Sequence, residues 1–404
     1  MTNNDELELN FDVLPGEVEK LRRQVREFAR EVVAPRVTDL DTAPADDFDW
    51  DMVAQGHALG LTRVAVPKEY GGLGLGMIGC SVALEEVASV CAGTALIFGA
   101  AMLGQTPVLL SGDPRLQARF LPMFSGDAPV LACNAVTEEE AGCDLIIPAN
   151  AVHARDVMTA RRDGDHYVLN GKKRFITNAQ VAAFASVFAN MEGAPGATGL
   201  TSFMVPLDLP GVVRGPVADK MGYRLCLGSE LEFHDVRIPA ENMIGDEGDG
   251  MAINIAQSNM ARASVAGISV GVARGALEQA LEWCDTRVQG GLPLREHQFT
   301  AAKLAEMSAK VDAARLLYLK AAHKVDNELP APQYEPAAAK LFADRVAIDV
   351  ADMAMSLTGA RGYVKSFGME KRLRDAYGAR IYEGTPEVLA LAITESLYAA
   401  GEPI

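Results

Sequence analysis

The chain has 404 residues, of which 49% are hydrophobic, and it carries 37 Lys and Arg residues against 54 Asp and Glu residues. Its length predicts two or three domains, each with a hydrophobic core large enough to fold without disulfides or metal ions. The net charge of −17 disfavours an electrostatic grip on nucleic acid or on anionic membranes.

No run of residues approaches the length of a membrane span. The acidic N-terminus, residues 1–12, has neither a hydrophobic signal core nor an Arg-rich transit pattern. We therefore expect a globular, cytoplasmic protein.

Residues from about 15 to 128 are predicted to be helical. One apolar stripe repeats at spacings of three and four and ends at Pro35: Val18, Leu21, Val25, Phe28, Val32. Further helices are predicted over 50–59, over 76–90 and beyond Gly93. The glycines of loop 69–75 could approach a ligand, but a plain connection between helices explains them equally well.

Between about 129 and 240 the spacing of hydrophobic residues changes from that of helices to that of strands. Asp163-Gly164-Asp165 is a hairpin signal between segments 157–161 and 166–169. Three further strands are predicted, at 184–190, 201–206 and 230–233. This part of the chain is therefore expected to be a β-domain.

Long Ala-rich helices are predicted from about 245 onward, over 252–283, 297–325 and 336–357. Ser264, Gly267 and Gly271 are spaced by three and four, so they share one helix face and would allow close helix packing. The predicted domains are therefore 1–128 (helical), 129–240 (β) and 241–404 (helical).

The cysteines and histidines give little sign of a metal site. The six cysteines are scattered without a Cys-x-x-Cys spacing, and the six histidines form no pair at helical spacing. Neither zinc nor a disulfide framework is expected.

The stretch from Arg380 to Pro386 places a carboxylate, Glu383, immediately before a helix start. Thr385 can cap this helix with its hydroxyl, Pro386 suits the first helical position, and residues 388–400 continue as an apolar helix. Glu383 would lie beside the partly positive end of the helix dipole and could abstract a proton. Taken alone, a surface glutamate that complements the dipole is the commoner explanation.

Several segments, in order from about residue 15 to 398, resemble the acyl-CoA dehydrogenases. They are 69–75, Glu85-Glu86, 112–122, 136–144, 170–178, 287–298, Gly359 with Gly362, Arg374-Asp375 and 382–385. Each motif is weak, but the ordered set is specific. The resemblance implies a multidomain α+β protein with an N-terminal all-α domain, a middle β-domain (sandwich or barrel) and a C-terminal four-helix bundle. It also implies a homotetramer that binds FAD.

The activity that the resemblance implies is α,β-dehydrogenation of an acyl-CoA thioester. Glu383 would abstract the α-proton, flavin N5 would accept the β-hydride, and an electron-transfer flavoprotein would normally reoxidise the flavin. The backbone N–H of Glu383, with a ribityl hydroxyl of FAD, would polarise the thioester carbonyl. Burial beside an acyl chain should raise the pKa of Glu383. Some family members carry the base just before Arg262, but this chain has Ala261 there.

The remaining site residues are also implied by the resemblance. Cofactor contacts are expected from Ala135, Val136, Thr137, Gly142, Cys143, Phe175, Ile176, Thr177, Arg287, Gln298, Ser356, Gly359, Ala360, Thr385 and Glu387. Substrate contacts are expected from Cys143, Arg262, Tyr382 and Gly384, and no metal ligand is expected. Arg287 and Gln298 match contacts to the FAD of the adjacent subunit, and 356–362 match its adenine-side glycine loop.

The chain departs from the family pattern at several positions. Ser356 replaces a usual Gln, Ala360 replaces a Gly, and Cys143 replaces a Ser whose hydroxyl is a stronger donor than a thiol. Glu139 and Glu140 add negative charge, which we expect to face solvent. Segment 145–157 is longer than usual and could form a loop over the pocket mouth.

Three alternatives stay open at this point. The acyl group could be carried by an acyl carrier protein, as the acidic turn near Glu139 suggests, or the enzyme could be an oxidase that uses oxygen directly. The chain could also be a non-catalytic subunit or scaffold of the same fold, although Glu383 and Thr177 together argue against this. Straight-chain, branched, cyclic and aromatic acyl groups are all compatible with the sequence.

Overall fold

The structure is a computed structural model and describes residues 14–399. The acidic N-terminus, residues 1–12, and Ala400 at the end of the predicted last helix lie outside these residues. The helices are α1 (Gly16–Phe28), α2 (Val37–Thr42), α3 (Trp50–Ala58), α4 (Gly76–Ala88), α5 (Ala92–Ser111), α6 (Pro114–Phe120), α7 (Gly250–Thr286), α8 (Gln298–Asn327), α9 (Tyr334–Thr358), α10 (Met369–Ala379) and α11 (Pro386–Ala399). The strands are β1 (Ala132–Ala135), β2 (Thr159–Asp163), β3 (His166–Thr177), β4 (Phe184–Met191), β5 (Leu200–Pro206), β6 (Val212–Val217), β7 (Gly228–Pro239), β8 (Met243–Ile244), β9 (Val288–Gln289) and β10 (Leu292–Pro293).

The apolar stripe of the first helix faces the core, as its spacing predicts. Val18, Leu21, Val25 and Phe28 are buried on α1. Pro35 does not end the helical segment, however. It occupies an early position of a short 3₁₀ turn, Ala34–Arg36, and α2 follows at once. The first turn of a helix tolerates proline because its missing N–H has no intrahelical partner there.

The glycines of loop 69–75 serve the chain's own packing. The N–H groups of Leu73, Gly74 and Leu75 donate to carbonyls of the 63–66 segment at 2.9–3.1 Å. A Cβ added to Gly72 would lie 1.9 Å from the carbonyl oxygen of Val66. Only glycine permits this approach, so the loop is a close-packed connection into α4.

The middle of the chain forms one mixed sheet. Its strand order is β6-β7-β3-β2-β4-β5-β8, and β1 pairs in parallel with β4. The predicted hairpin is present, with Asp163 opposite His166 across the β2–β3 turn. Side chains from β1, β3, β4, β5 and β7 share one core, which places the ends of β1 and β3 side by side.

Helix α7 organises the helical part of the structure. From Arg262 to Leu277 every residue is buried, as expected for a helix surrounded by others. It packs against α4 and α5 from the N-terminal region and against α8, α9 and α10 from the C-terminal region. The N- and C-terminal helices therefore share a single hydrophobic core.

Helix α5 corrects the expectation that no segment reaches the length of a membrane span. Its 20 residues are long and apolar enough to cross a membrane by length and composition. However, 72% of its most apolar window is buried inside the protein, against α4, α7 and β1. The helix is apolar because it belongs to the shared core.

The small residues of α7 allow α4 to approach closely. Cβ atoms added to Gly267 and Gly271 would lie 2.6 Å from the Ser81 carbonyl oxygen and 2.5 Å from the Glu85 carbonyl oxygen. The Ser81 and Ser264 hydroxyls are 3.3 Å apart across the same contact. The backbone of α4 therefore packs directly against α7.

Gly271→Ala should lower the free energy of unfolding by about 1–3 kcal/mol, because a new methyl group would press on the backbone of α4. Urea denaturation measures this loss. Gly16→Ala is the matched control, since an added Cβ there meets nothing within 4 Å. Equal stability of the two variants would show that the two helices are not in close contact.

Candidate active site

A cavity of about 310 Å³ lies where the three parts of the chain meet. Its walls come from α4 and α5, from the ends of β1 and β3, and from α7 with the loop before α11. Within residues 14–399, Glu383 is the only residue lining it that has a carboxylate or a basic side chain. The cavity therefore isolates one carboxyl group in a largely apolar space.

The backbone around Glu383 is held in an unusual conformation. Glu383 has a φ of 54° and Gly384 a φ of 100°. The left-handed region costs a residue other than glycine about 1–2 kcal/mol, so surrounding contacts must maintain it. The contacts are made by two buried cations.

The first cation, Lys340, lies behind the Glu383 loop. Its ammonium donates to the carbonyls of Ala379 at 2.9 Å and Gly384 at 3.1 Å, and to the Asp344 carboxylate at 2.7 Å. Lys340 is fully buried, and Ser269 donates to Asp344 from α7. All three donors of Lys340 are thereby used, and both ends of the loop are tied to α9.

The second cation, Arg262, reaches the same loop from α7. Its Nε is 3.4 Å from the carbonyl oxygen of Glu383, and its Nη1 donates to Asn259 at 3.0 Å. The side chain is buried, and burial lowers the pKa of the guanidinium. Arg262 lies behind Glu383 and is not among the described residues that line the cavity.

Burial raises the pKa of the Glu383 carboxyl, as the sequence led us to expect. The charges of Arg262 and Lys340 and a hydrogen bond from Ser258 act in the opposite direction. The net shift is upward because desolvation outweighs these contributions. A carboxylate with a raised pKa is a stronger base than a solvated one.

Tyr382 closes one side of the cavity. Its ring makes an edge contact with Tyr223, with centroids 5.7 Å apart, and the two hydroxyls are 3.4 Å apart. The Lys340 ammonium lies 5.9 Å from the Tyr382 ring centroid. Burial raises the pKa of Tyr382 well above its usual value, so its hydroxyl stays neutral.

The opposite wall comes from the ends of two strands. Thr137, Phe175 and Thr177 line it, and 63% of Phe175 is exposed. Phe175 has a φ of 59° within a β3 irregularity that turns its ring outward. Within residues 14–399 neither threonine hydroxyl has a hydrogen-bond partner.

A buried ion pair fixes this wall. Lys173 and Glu138 are hydrogen-bonded and buried, and Lys173 also donates to the Val136 carbonyl at 2.9 Å. The N–H of Arg174 donates to the Thr137 carbonyl at 2.9 Å. An open aromatic face and two unpartnered hydroxyls suit a planar ring with polar edges, so these residues fit a flavin.

Most of the other predicted cofactor residues of the middle part lie close to this wall. Val136, Gly142, Cys143 and Ile176 line the cavity, whereas Ala135 is buried on β1 just before it. Desolvation, with the nearby carboxylates of Asp144 and Glu387, raises the pKa of the Cys143 thiol. Cys143 therefore stays protonated as a weak donor.

The helix start after Glu383 differs in one detail from its prediction. The carbonyl of Thr385 accepts the N–H of Leu389 at 3.0 Å, as at a helix N-cap. The Thr385 hydroxyl, however, acts on Glu387: the pKa of that carboxyl is lowered first by its own backbone N–H and then by this hydroxyl. Thr385 lines the cavity, whereas Glu387 is exposed.

A second group of predicted cofactor residues lies at the far end of the helical bundle. Arg287 follows α7, and Gln298 begins α8. Ser356 is hydrogen-bonded to Lys303 of α8 at 2.7 Å, and the exposed Gly359 and Ala360 follow it. At 1.5 Å per residue, Arg287 is about 44 Å along α7 from Ser258 at the cavity. One chain therefore does not bring the two groups together.

The departures at 139–157 contribute little to the cavity. Glu139 and Glu140 are exposed and pair with Arg174 and Arg155. Of segment 145–157, Ile146 alone lines the cavity among the described residues. Leu145, Ala151 and Ala154 instead pack in a separate core beside Phe188 and Leu200.

Comparison with known proteins agrees with this geometry. The family models match at residues 15–127 (Acyl-CoA dehydrogenase, N-terminal domain), 133–236 (middle domain) and 248–398 (C-terminal domain). The chain belongs to the acyl-CoA dehydrogenase family. Members of this family depend on FAD, and this chain is an oxidoreductase and a flavoprotein.

Individual acyl-CoA dehydrogenases are similar along nearly the whole chain. The chain is 35% identical over 385 residues to cyclohex-1-ene-1-carbonyl-CoA dehydrogenase of Syntrophus aciditrophicus (strain SB), covering 95% of this chain and 90% of that protein. Butyryl-CoA dehydrogenase from Megasphaera elsdenii has a TM-score of 0.88 at 32% identity, covering 95% and 99% of the two chains. A structure described as electron transferring flavoprotein of Acidaminococcus fermentans has a TM-score of 0.89 at 31% identity, covering 95% and 98%.

Sequence reasoning missed three residues that shape the site of this acyl-CoA dehydrogenase. Lys340 and Asp344 are one helical turn apart on a face otherwise made of buried alanines, which is a recognisable sign of a buried pair. Ser258, which donates to Glu383, carries no such signal because a helix serine is ordinary in any context.

The Glu383 pKa can be tested without turnover. Infrared difference titration should find a carboxylic acid band that disappears in Glu383→Gln and titrates above about 4.3, the ordinary glutamate value. Arg262→Gln should move this midpoint to higher pH, because the lost positive charge favoured the ionised form. Arg262→Lys keeps the charge and is the control. A wild-type midpoint at or below the ordinary value would contradict the proposed burial.

Proposed function

We propose that this enzyme removes two hydrogens from the α- and β-carbons of an acyl-CoA thioester, with Glu383 as the base. The observation that carries the proposal is the isolation of Glu383, whose raised pKa suits a base, in an apolar cavity opposite Thr137, Phe175 and Thr177. The relatives named after cyclohex-1-ene-1-carbonyl-CoA and butyryl-CoA support the substrate class.

Glu383 acts on the α-carbon. Its carboxylate takes the α-proton, and the electron pair of that C–H bond forms the new double bond as a hydride leaves the β-carbon. A bound FAD would supply the acceptor for that hydride. Thr137, Phe175, Ile176 and Thr177 would hold its ring system, since they offer an aromatic face and two hydroxyls that have no hydrogen-bond partner among residues 14–399.

The loop also offers a group for the thioester carbonyl. The backbone N–H of Glu383 has no hydrogen-bond partner among residues 14–399, and the Glu383 side chain faces the cavity. An N–H directed at the carbonyl oxygen would stabilise negative charge as the α-proton leaves. Lys340 and Arg262 keep this N–H and the carboxylate in fixed positions from behind.

Among the described residues that line the cavity, none competes with Glu383 as a base. Ala261, at the position where some family members carry the base, lines the same cavity with a methyl group. Cys80, Cys143 and Tyr382 also line it, but each has a raised pKa and stays protonated. The assignment therefore rests on a single residue.

The assembly is part of the proposal. Arg287, Gln298, Ser356, Gly359 and Ala360 lie too far from the cavity of their own chain to contact a flavin there, so we assign them to the FAD of an adjacent subunit in a homotetramer. Thr385, Glu387, Gly142 and Cys143 would contact the FAD of the same chain, and Cys143, Tyr382 and Gly384 the substrate. Arg262 acts as a support of the Glu383 loop.

The cellular context is also proposed. We favour an electron-transfer flavoprotein as the acceptor of the electrons from the reduced flavin, in line with the family resemblance. Separately, we place the domain boundaries near residues 128 and 240. Free cysteines at all six positions agree with a cytoplasmic location.

Glu383→Gln should leave FAD bound but abolish bleaching of the flavin absorbance when butyryl-CoA is added without oxygen. An amide cannot accept the α-proton, so a loss of at least about 10³-fold is expected. Glu395→Gln, an exposed change on α11, is the matched control. Bleaching of the Glu383 variant within tenfold of wild type would refute the assignment.

Arg287→Ala should reduce both the FAD content and the tetramer fraction, because the cation would contact the flavin of a neighbouring subunit. Absorbance of the purified protein and sedimentation measure these two quantities. Arg295→Ala removes a nearby exposed cation, paired with Asp285, and serves as the control. Unchanged flavin content in the Arg287 variant would remove the support for a contact between subunits.

A further inference from the structure

The end of the cavity away from the strand wall lies between α4, α5 and α7. On α5, the positions from 92 to 108 that are half-buried rather than buried are Leu96, Gly99 and Leu103, spaced by three and four. This spacing puts them on one helix face, and all three line the cavity. Ala100, Met102, Thr106 and Leu109 of α5 line the cavity as well, so among the described residues Gly99 is the one lining position of this helix without a side chain.

Among the described residues, none packs so closely against position 99 that glycine is required there. A Cβ added there would lie 3.4 Å from Leu84 Cδ1 and 3.7 Å from Ile268 Cδ1, which is ordinary van der Waals contact. On the same helix, a Cβ at Gly104 would lie 2.7 Å from the Cys133 carbonyl oxygen. Glycine inside a helix lowers stability relative to alanine, so Gly99 costs stability without relieving a clash.

The charge of the lining gives a second constraint. Within residues 14–399 no Lys, Arg or His lines the cavity, and its one carboxylate is that of Glu383. A carboxylate at the end of an acyl tail would be buried without a partner, and such burial is strongly unfavourable.

We propose that the acyl tail is uncharged and that Gly99, with Leu84 and Ile268 opposite, sets the largest tail that the cavity accepts. This inference rests on the proposed function and narrows its substrate class. The space that a side chain at position 99 would occupy is left for the far end of a branched or cyclic acyl group.

The test combines stability with substrate choice. Gly99→Ala should raise Tm by about 1–3 °C, because alanine favours the helix and meets no clash. The same variant should lose about tenfold or more in kcat/KM for cyclohexanecarbonyl-CoA, or for the largest neutral acyl group that the wild type uses. Its kcat/KM for butyryl-CoA, which has a shorter tail, should fall several-fold less. Gly104→Ala, which should lower Tm, is the comparison on the same helix.

Charge is tested with two acyl groups of equal carbon number. Pentanoyl-CoA should bleach the flavin of the wild-type protein, whereas glutaryl-CoA should be at least about 100-fold poorer in kcat/KM. Comparable rates would overturn the claim of an uncharged tail. A lower Tm of Gly99→Ala, or equal losses on all acyl groups, would overturn the role of Gly99. Failure of every thioester to bleach the flavin would overturn the proposed function itself, and this inference with it.

Discussion

Two buried cations hold the Glu383 loop from behind while its carboxyl faces an apolar cavity. Lys340 bonds the Ala379 and Gly384 carbonyls, and Arg262 reaches the Glu383 carbonyl. Because neither cation bonds the Glu383 carboxylate itself, this carboxyl has no ion pair within residues 14–399, and desolvation raises its pKa. A direct ion pair would have held the carboxylate in its ionised, weakly basic form. The site therefore depends on two cations that hold the backbone of the loop without pairing with the Glu383 carboxylate.

The fold makes this arrangement possible through α7. This helix supplies Arg262 to the loop and Ser258 to the Glu383 carboxyl, and its Ile268 borders the end of the cavity away from the strand wall. It also joins the N- and C-terminal helices into one core, with Gly267 and Gly271 allowing α4 to come close. The three regions that the sequence separates by composition therefore meet at one cavity.

Much of the fold could be predicted from the sequence because its signals are local. The stripe from Val18 to Phe28 and the Gly164 hairpin follow from spacing and turn chemistry. Glu383 stood out for a similar reason, since Thr385 and Pro386 mark a helix start. The alanine at position 261 then left it as the one candidate base that the family pattern offers.

The rest could not be predicted because it depends on contacts between distant residues. Lys340 meets Gly384 across 44 positions. Its spacing from Asp344 on an alanine-rich face indicates a buried pair, but nothing local in the sequence identifies the distant carbonyl that it binds. From the sequence, the longer segment 145–157 could form a loop over the pocket mouth, yet apolar side chains such as Leu145 and Ala151 place most of it in another core. The sequence does not indicate a role for Gly99, because a glycine that leaves space for a ligand and a glycine that allows close helix packing look the same in a sequence.

The most direct test of the central claim is a crystal structure of the Glu383→Gln holoenzyme with bound butyryl-CoA. We expect the side-chain amide of residue 383 to lie about 3–3.5 Å from the α-carbon, the range of a near-attack geometry. The thioester carbonyl should accept the N–H of residue 383, and Lys340 should still bond the Gly384 carbonyl. An amide turned away from the acyl chain, with a different side chain nearest the α-carbon, would contradict the account.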